Sequence, residues 1–172
     1  MVDYTHMVHR HLSHPLREAL LDTPVVLVNG ARQTGKSTLV QAMDLAGPDR
    51  PYLTLDDPGV LGAAQRDPNG FVAGLPSPVT LDEVQHAPGL FPALKVAVDR
   101  KREPGRFLLT GSANVLLLPR LSESLAGRME VLTLWPFSQG EVNGVREGFI
   151  DALFTSNRSG HRRTPGPRAG TS

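Results

Sequence analysis

Residues Gly30-Ala31-Arg32-Gln33-Thr34-Gly35-Lys36-Ser37 match the pattern G-x-x-x-x-G-K-[ST] at every fixed position. That spacing serves the holding of a polyphosphate. Backbone N–H groups of such a loop turn towards phosphate oxygens, and its glycines allow an approach that a Cβ would block. Lys36 would reach the β- and γ-phosphates, the Ser37 hydroxyl would ligate Mg²⁺, and Thr38 continues the loop into a helix. The chain has three lysines, Lys36, Lys95 and Lys101, against fifteen arginines, and one of the three falls where a phosphate-binding lysine belongs. A glycine-rich turn beside a surface lysine also arises by chance. Here the apolar run Val25-Val26-Leu27-Val28 precedes the loop and Leu39-Val40 follows it, so strand, cradle and helix come in the required order.

A second constellation is Val79-Thr80-Leu81-Asp82-Glu83, an acidic pair closing an apolar run. Asp82 would hold the Mg²⁺ sphere together with Ser37, and Glu83 would orient or deprotonate an attacking water. Alone, such a pair could merely cap the next turn; the loop upstream favours metal and water. Thr110-Gly111-Ser112-Ala113-Asn114 closes another run, and its polar side chains are placed to meet a γ-phosphate or that water. Ser112 is the first choice, then Thr110, then Asn114, although Gly, Ser and Asn also build ordinary turns. Gly127-Arg128 precedes a last run. Arg128 could stabilise transition-state charge in a neighbouring subunit, or simply be solvated. Arg32 reads as a brace for the loop. His6, His9, His11 and His14 lack accompanying ligands in a metal pattern and read as helix surface. Lys95 and Asp99 have the spacing of a helical ion pair. Trp135-Pro136-Phe137 is expected to pack the sheet edge.

The elements that must position these groups follow from periodicity. Helical spacing over residues 8–21 is interrupted at Pro15, which should kink or divide the segment. Strands are expected at 25–29, 52–55, 79–81, 106–110 and 131–134. Helices are expected from Thr34 to about Ala46, from Asp56-Asp57-Pro58 onward with an acidic cap and a proline in the first turn, and from Pro88 to Arg102. Short apolar strands alternating with helices indicate an α/β fold, a parallel sheet covered on both faces.

At 172 residues the chain has room for one domain with a sizeable core. Its expected parts are an N-terminal helical segment (1–22), a core (23–154) and a disordered basic tail (155–172). The tail holds four arginines and no acidic residue, so residues 1–154 carry 14 basic and 17 acidic groups. That balance of −3 argues against a nucleic-acid partner for the core. The absence of cysteine excludes disulfides, cysteine-ligated zinc and thiol catalysis. No apolar run is long enough to span a bilayer, and a soluble cytoplasmic protein is expected.

With these motifs placed, the chain resembles prokaryotic AAA-family ATPases of the AAA+ superfamily, in the group that joins an N-terminal P-loop domain to a C-terminal domain of unknown function. The resemblance covers about residues 8–154. It rests on residues 29–38, Leu55-Asp56-Asp57-Pro58, Leu81-Asp82-Glu83-Val84-Gln85-His86-Ala87-Pro88, residues 94–100 and 109–114, Ser124-Leu125-Ala126-Gly127-Arg128, and Leu134-Trp135-Pro136-Phe137-Ser138. It implies ATP binding, Mg²⁺-dependent hydrolysis with Glu83 as the water-activating group, and a three-layer P-loop NTPase sandwich with strand order 5-1-4-3-2. Arg128 could act in trans if the chain assembles into a homo-oligomer; neither the oligomeric state nor the client of such an ATP cycle is legible. Ala31 stands where the family often has proline. Family members continue for a couple of hundred residues with a helical lid and a C-terminal domain. The pattern here stops near Phe154, so the tail is expected to be a truncated or frame-shifted end. Two other readings stay open: a relic that binds nucleotide weakly without turnover, and a small-molecule kinase, which would need an acceptor pocket and an arginine-bearing lid.

Overall fold

The computed structural model describes residues 8–42, 50–112, 115 and 124–145. The expected tail, the helix end near Ala46, His6, Ala113 and Asn114 lie outside the described residues. The elements are α1 (Ser13–Asp22), β1 (Val25–Gly30), α2 (Lys36–Ala42), β2 (Tyr52–Thr54), α3 (Pro58–Arg66), α4 (Pro68–Ala73) and β3 (Val79–Asp82). A 3₁₀ turn (Val84–His86), α5 (Leu90–Arg100), β4 (Phe107–Ser112), β5 (Met129–Thr133) and α6 (Gln139–Asn143) follow. Among the described residues no helix is long and apolar enough to cross a membrane.

The five strands form one parallel sheet in the order β2-β3-β4-β1-β5. This is the order expected from the resemblance, read from the other edge. β1 is buried along its whole length, as an interior strand covered on both faces must be. Its side chains alternate between two cores. Val25 and Leu27 join Leu81, Leu109, Phe91 and Leu94 under α3–α5. Val26 and Val28 join Leu108, Leu134 and the apolar faces of α1 and α2. The result is a three-layer sandwich.

Local signals explain several ends. Asp57 caps α3, its carboxylate accepting from the N–H groups of Gly59 (2.7 Å) and Val60 (3.0 Å), with Pro58 in the first turn. Asp67 and Pro68 repeat the device at α4, which the sequence reading did not include. Ser138 and Glu141 form a reciprocal capping box on α6, also unanticipated. Pro15 does not kink α1: it lies in the first turn, where no intrahelical N–H bond is lost. Leu16, Ala19 and Leu20 of α1 are buried with Val26 and Val28 of β1.

Candidate functional site

All five strands run in one direction, so their C-terminal ends share one edge of the sheet. The register pairs Gly30 with Ser112 and Thr54 with Asp82. It therefore brings the glycine-rich loop, the acidic pair and the end of β4 together. Gly30 is required by close approach. The chain leaving β5 bonds to β1 through the Leu134 N–H and the Asn29 carbonyl (2.7 Å), and a Cβ on Gly30 would collide with the Leu134 carbonyl oxygen. Gly35 has φ +87°, a left-handed backbone that glycine adopts without strain. Ala31, Arg32, Gln33 and Thr38 are exposed, while Thr34 is buried and donates its hydroxyl to the Ala31 carbonyl (3.0 Å). The Lys36 side chain folds onto the loop itself. Its ammonium donates to the Ala31 (2.9 Å) and Gly30 (3.2 Å) carbonyls. A buried ammonium needs such partners, and phosphate oxygens would replace them with charge-assisted bonds.

The loop is braced, but not by Arg32, which is exposed. The brace is Arg10, only 6% exposed. Its guanidinium donates to the Thr34 carbonyl (2.7 Å), to the Trp135 carbonyl (2.5 Å) and to Glu141 (3.1 Å), and it stacks 4.2 Å from the Phe137 ring centre. Glu141 also accepts from the N–H groups of His11 (2.8 Å) and Ser138 (3.1 Å). Burial alone pushes the Glu141 carboxyl up; these N–H donors and the guanidinium outweigh it and hold it below the usual range. Trp135 does not pack the sheet edge as expected. It is 73% exposed, because the backbone of its loop, not its ring, is what Arg10 captures.

Asp82, 3% exposed, gathers three hydroxyl groups. Ser37 Oγ lies 3.0 and 3.1 Å from its two carboxylate oxygens, the Tyr52 phenol donates at 2.6 Å, and Thr110 Oγ1 donates to Oδ1. Burial, then the bond to Asp82, pushes the Tyr52 phenol above its usual range, so it stays a donor. A carboxylate and a serine hydroxyl converging as hard oxygen donors fit Mg²⁺, which takes one or two carboxylates and completes its sphere with water and phosphate. Among the described residues no cluster of three His, Cys, Asp or Glu forms a protein-only metal cage. His14 is exposed beside Glu18.

Glu83 follows in a left-handed conformation (φ 58°, ψ 45°), its N–H donating to Thr110 Oγ1 (3.1 Å). So Thr110, and not the favoured Ser112, touches both acidic residues. Ser112 contributes its backbone N–H to Gln85 Oε1 (3.3 Å), and Gln85 Nε2 donates to Glu83 Oε2. Arg128 is not brought to this site. It precedes β5 at the opposite sheet edge, a strand length of roughly 15 Å away. There its Nε donates to Asp99 (2.5 Å), holding that carboxyl below its usual range; Asp99 also keeps Lys95 at 3.8 Å. Arg10, Tyr52 and Glu141 were missed because their partners come from other elements, and Gln85, although it stands in the run after Asp82-Glu83, was given no role. On the α1 side of the loop lies a cavity of about 430 Å³, lined by His9, Arg10, Arg17, Gly35, Thr38 and Phe137 among others.

A parallel sheet with a glycine-rich lysine loop at the end of an interior strand defines the P-loop NTPase fold. Comparison with solved structures agrees. The P-loop NTPase domain of the sigma-54 transport activator from E. coli superposes with a TM-score of 0.50 at 17% identity, over 74% of this chain and 94% of that one. Residues 22–143 match the model of the AAA domain family, and the chain belongs to that family of ATPase-type, nucleotide-binding domains. The uncharacterized proteins Rv2008c of Mycobacterium tuberculosis and Mb2031c of Mycobacterium bovis are each 46% identical to it over 120 residues, 69% of this chain. The chain spans 26% of the length of these relatives.

Proposed function

We propose that this chain binds ATP with Mg²⁺ and hydrolyses it as an ATP-driven switch. The observation that carries the reading is the Ser37 hydroxyl, set between the two carboxylate oxygens of Asp82 on the loop that carries Lys36. Lys36 exchanges the Gly30 and Ala31 carbonyls for β- and γ-phosphate oxygens. The base and ribose enter the cavity beside α1, which is large enough for them. Ser37 and Asp82 would hold Mg²⁺, which would supply neutralisation of phosphate charge. Glu83 takes a proton from the attacking water as its oxygen bonds to the γ-phosphorus. The bond from that phosphorus to the β–γ bridging oxygen breaks, and ADP and phosphate leave. Ser112 lies near that end of the site and contributes through its backbone N–H. Arg128, remote from its own loop, can serve only a neighbouring copy in a homo-oligomer, and it must leave Asp99 to do so.

The test is thermal unfolding with and without Mg-ATP, on the wild-type chain and on Lys36→Ala. A ligand at 100 times its Kd adds about 2.7 kcal/mol of stability, a shift of several degrees. The shift is expected in the wild type and absent in Lys36→Ala. No shift at saturating nucleotide would end the reading. ATP turnover lost in Glu83→Gln with the thermal shift retained would separate the chemical step from binding.

A further inference from the structure

We infer that Gln85 is the positioning residue for Glu83, clamping its carboxylate to the end of β4. The inference rests on the hydrolysis reading above. Gln85 uses both ends of its amide: Nε2 donates to Glu83 Oε2, and Oε1 accepts from the Ser112 N–H at 3.3 Å. The Glu83 main chain is tied to the same strand through its N–H and Thr110 Oγ1 (3.1 Å). Backbone and side chain of Glu83 thus both take their position from β4. At Gly111 a Cβ would stand 3.0 and 3.1 Å from the Val115 side chain and 3.3 Å from Gln85 Oε1, so glycine leaves room for both. The restraint is needed because Glu83 is only partly buried and a free glutamate side chain samples several rotamers. With both amide ends engaged within the protein, Gln85 acts through Glu83 and not on the water. The strand it grips is also the one registered against the glycine-rich loop, with Ser112 opposite Gly30.

The experiment measures kcat, KM, the Kd for a fluorescent ATP analogue and the melting temperature for five proteins: wild type, Gln85→Ala, Gln85→Glu, Glu83→Gln and the double variant Glu83→Gln/Gln85→Glu. Gln85→Glu keeps the volume and the acceptor for the Ser112 N–H, and replaces the donor to Glu83 by a carboxylate oxygen that repels it. Displacement of a reacting group by about 1 Å costs on the order of 100-fold in rate, so kcat should fall roughly 10- to 100-fold in both single Gln85 variants. KM, Kd and melting temperature should stay near wild type. In the Glu83→Gln background, Gln85→Glu should cause no further loss, as expected of residues that act as a unit. Unchanged kcat overturns the assignment and leaves the hydrolysis reading standing. A parallel loss of nucleotide affinity or of melting temperature overturns it in favour of a structural role. Wild-type turnover no higher than that of Lys36→Ala overturns the hydrolysis reading and the assignment with it.

Discussion

Replacing the buried Arg10 by methionine should cost this fold far more than loss of an exposed charge would, and the structure allows the amount to be worked out. Methionine keeps most of the volume and removes the guanidinium. The variant loses a buried ion pair to Glu141 whose side chains are each 7% exposed, two bonds to the Thr34 and Trp135 carbonyls, and the stack on Phe137. The larger penalty falls on what remains. Glu141 keeps its charge and the His11 and Ser138 N–H donors, but loses its only charged partner among the described residues. Breaking a buried pair by removing one member costs about 3–5 kcal/mol. For a body of this size that is a fall of roughly 10–20 °C in melting temperature. Urea unfolding at neutral pH of the wild type, Arg10→Met, Glu141→Gln and the double variant closes a thermodynamic cycle. The double variant should lose clearly less than the two single losses together, because a neutral amide no longer needs the cation. The Arg10→Met chain should also bind Mg-ATP more weakly, since the Thr34 carbonyl of the loop is no longer held. A loss below about 1 kcal/mol in Arg10→Met, or additivity within about 0.5 kcal/mol, would refute the account.

Two further outcomes are expected. The Glu141 carboxyl titrates lower in the folded chain than in the unfolded one, so its contribution is complete above the unfolded value of about 4.3 and disappears as pH falls through the folded value. The stability gap between wild type and Glu141→Gln, measured by urea unfolding, should therefore narrow below about pH 4; a gap constant from pH 7 to pH 3 would contradict this. Tyr52→Phe removes one hydroxyl donor from Asp82 without changing the ring. Support of this kind behind a metal-holding carboxylate is worth about 10- to 100-fold in metal affinity. The Mg²⁺ concentration giving half of the ATP-induced thermal shift should rise by at least roughly tenfold, and an unchanged value would show that the phenol is idle.

The loop and the sheet were legible because each is a contiguous pattern. Val25–Val28, the two glycines and Lys36-Ser37 state strand, turn and helix within thirteen residues. Asp57-Pro58 announced α3 by a cap and a fixed φ, and the same logic applied to Asp67-Pro68 and Ser138-x-x-Glu141 would have found α4 and α6. The neighbours of the acidic pair were not legible. Thr110 and Ser112 share a face of β4 by alternation, and only the register, with Leu81 opposite Leu109, sets Thr110 beside Asp82 and leaves Ser112 beyond it. Arg10 and Glu141 lie 131 residues apart, and Arg128 and Asp99 are 29 apart. A periodicity reports which face of an element is apolar. It carries no information on which charged group from another element arrives there, because that depends on strand order and register, which are settled only when both faces of the sheet are buried.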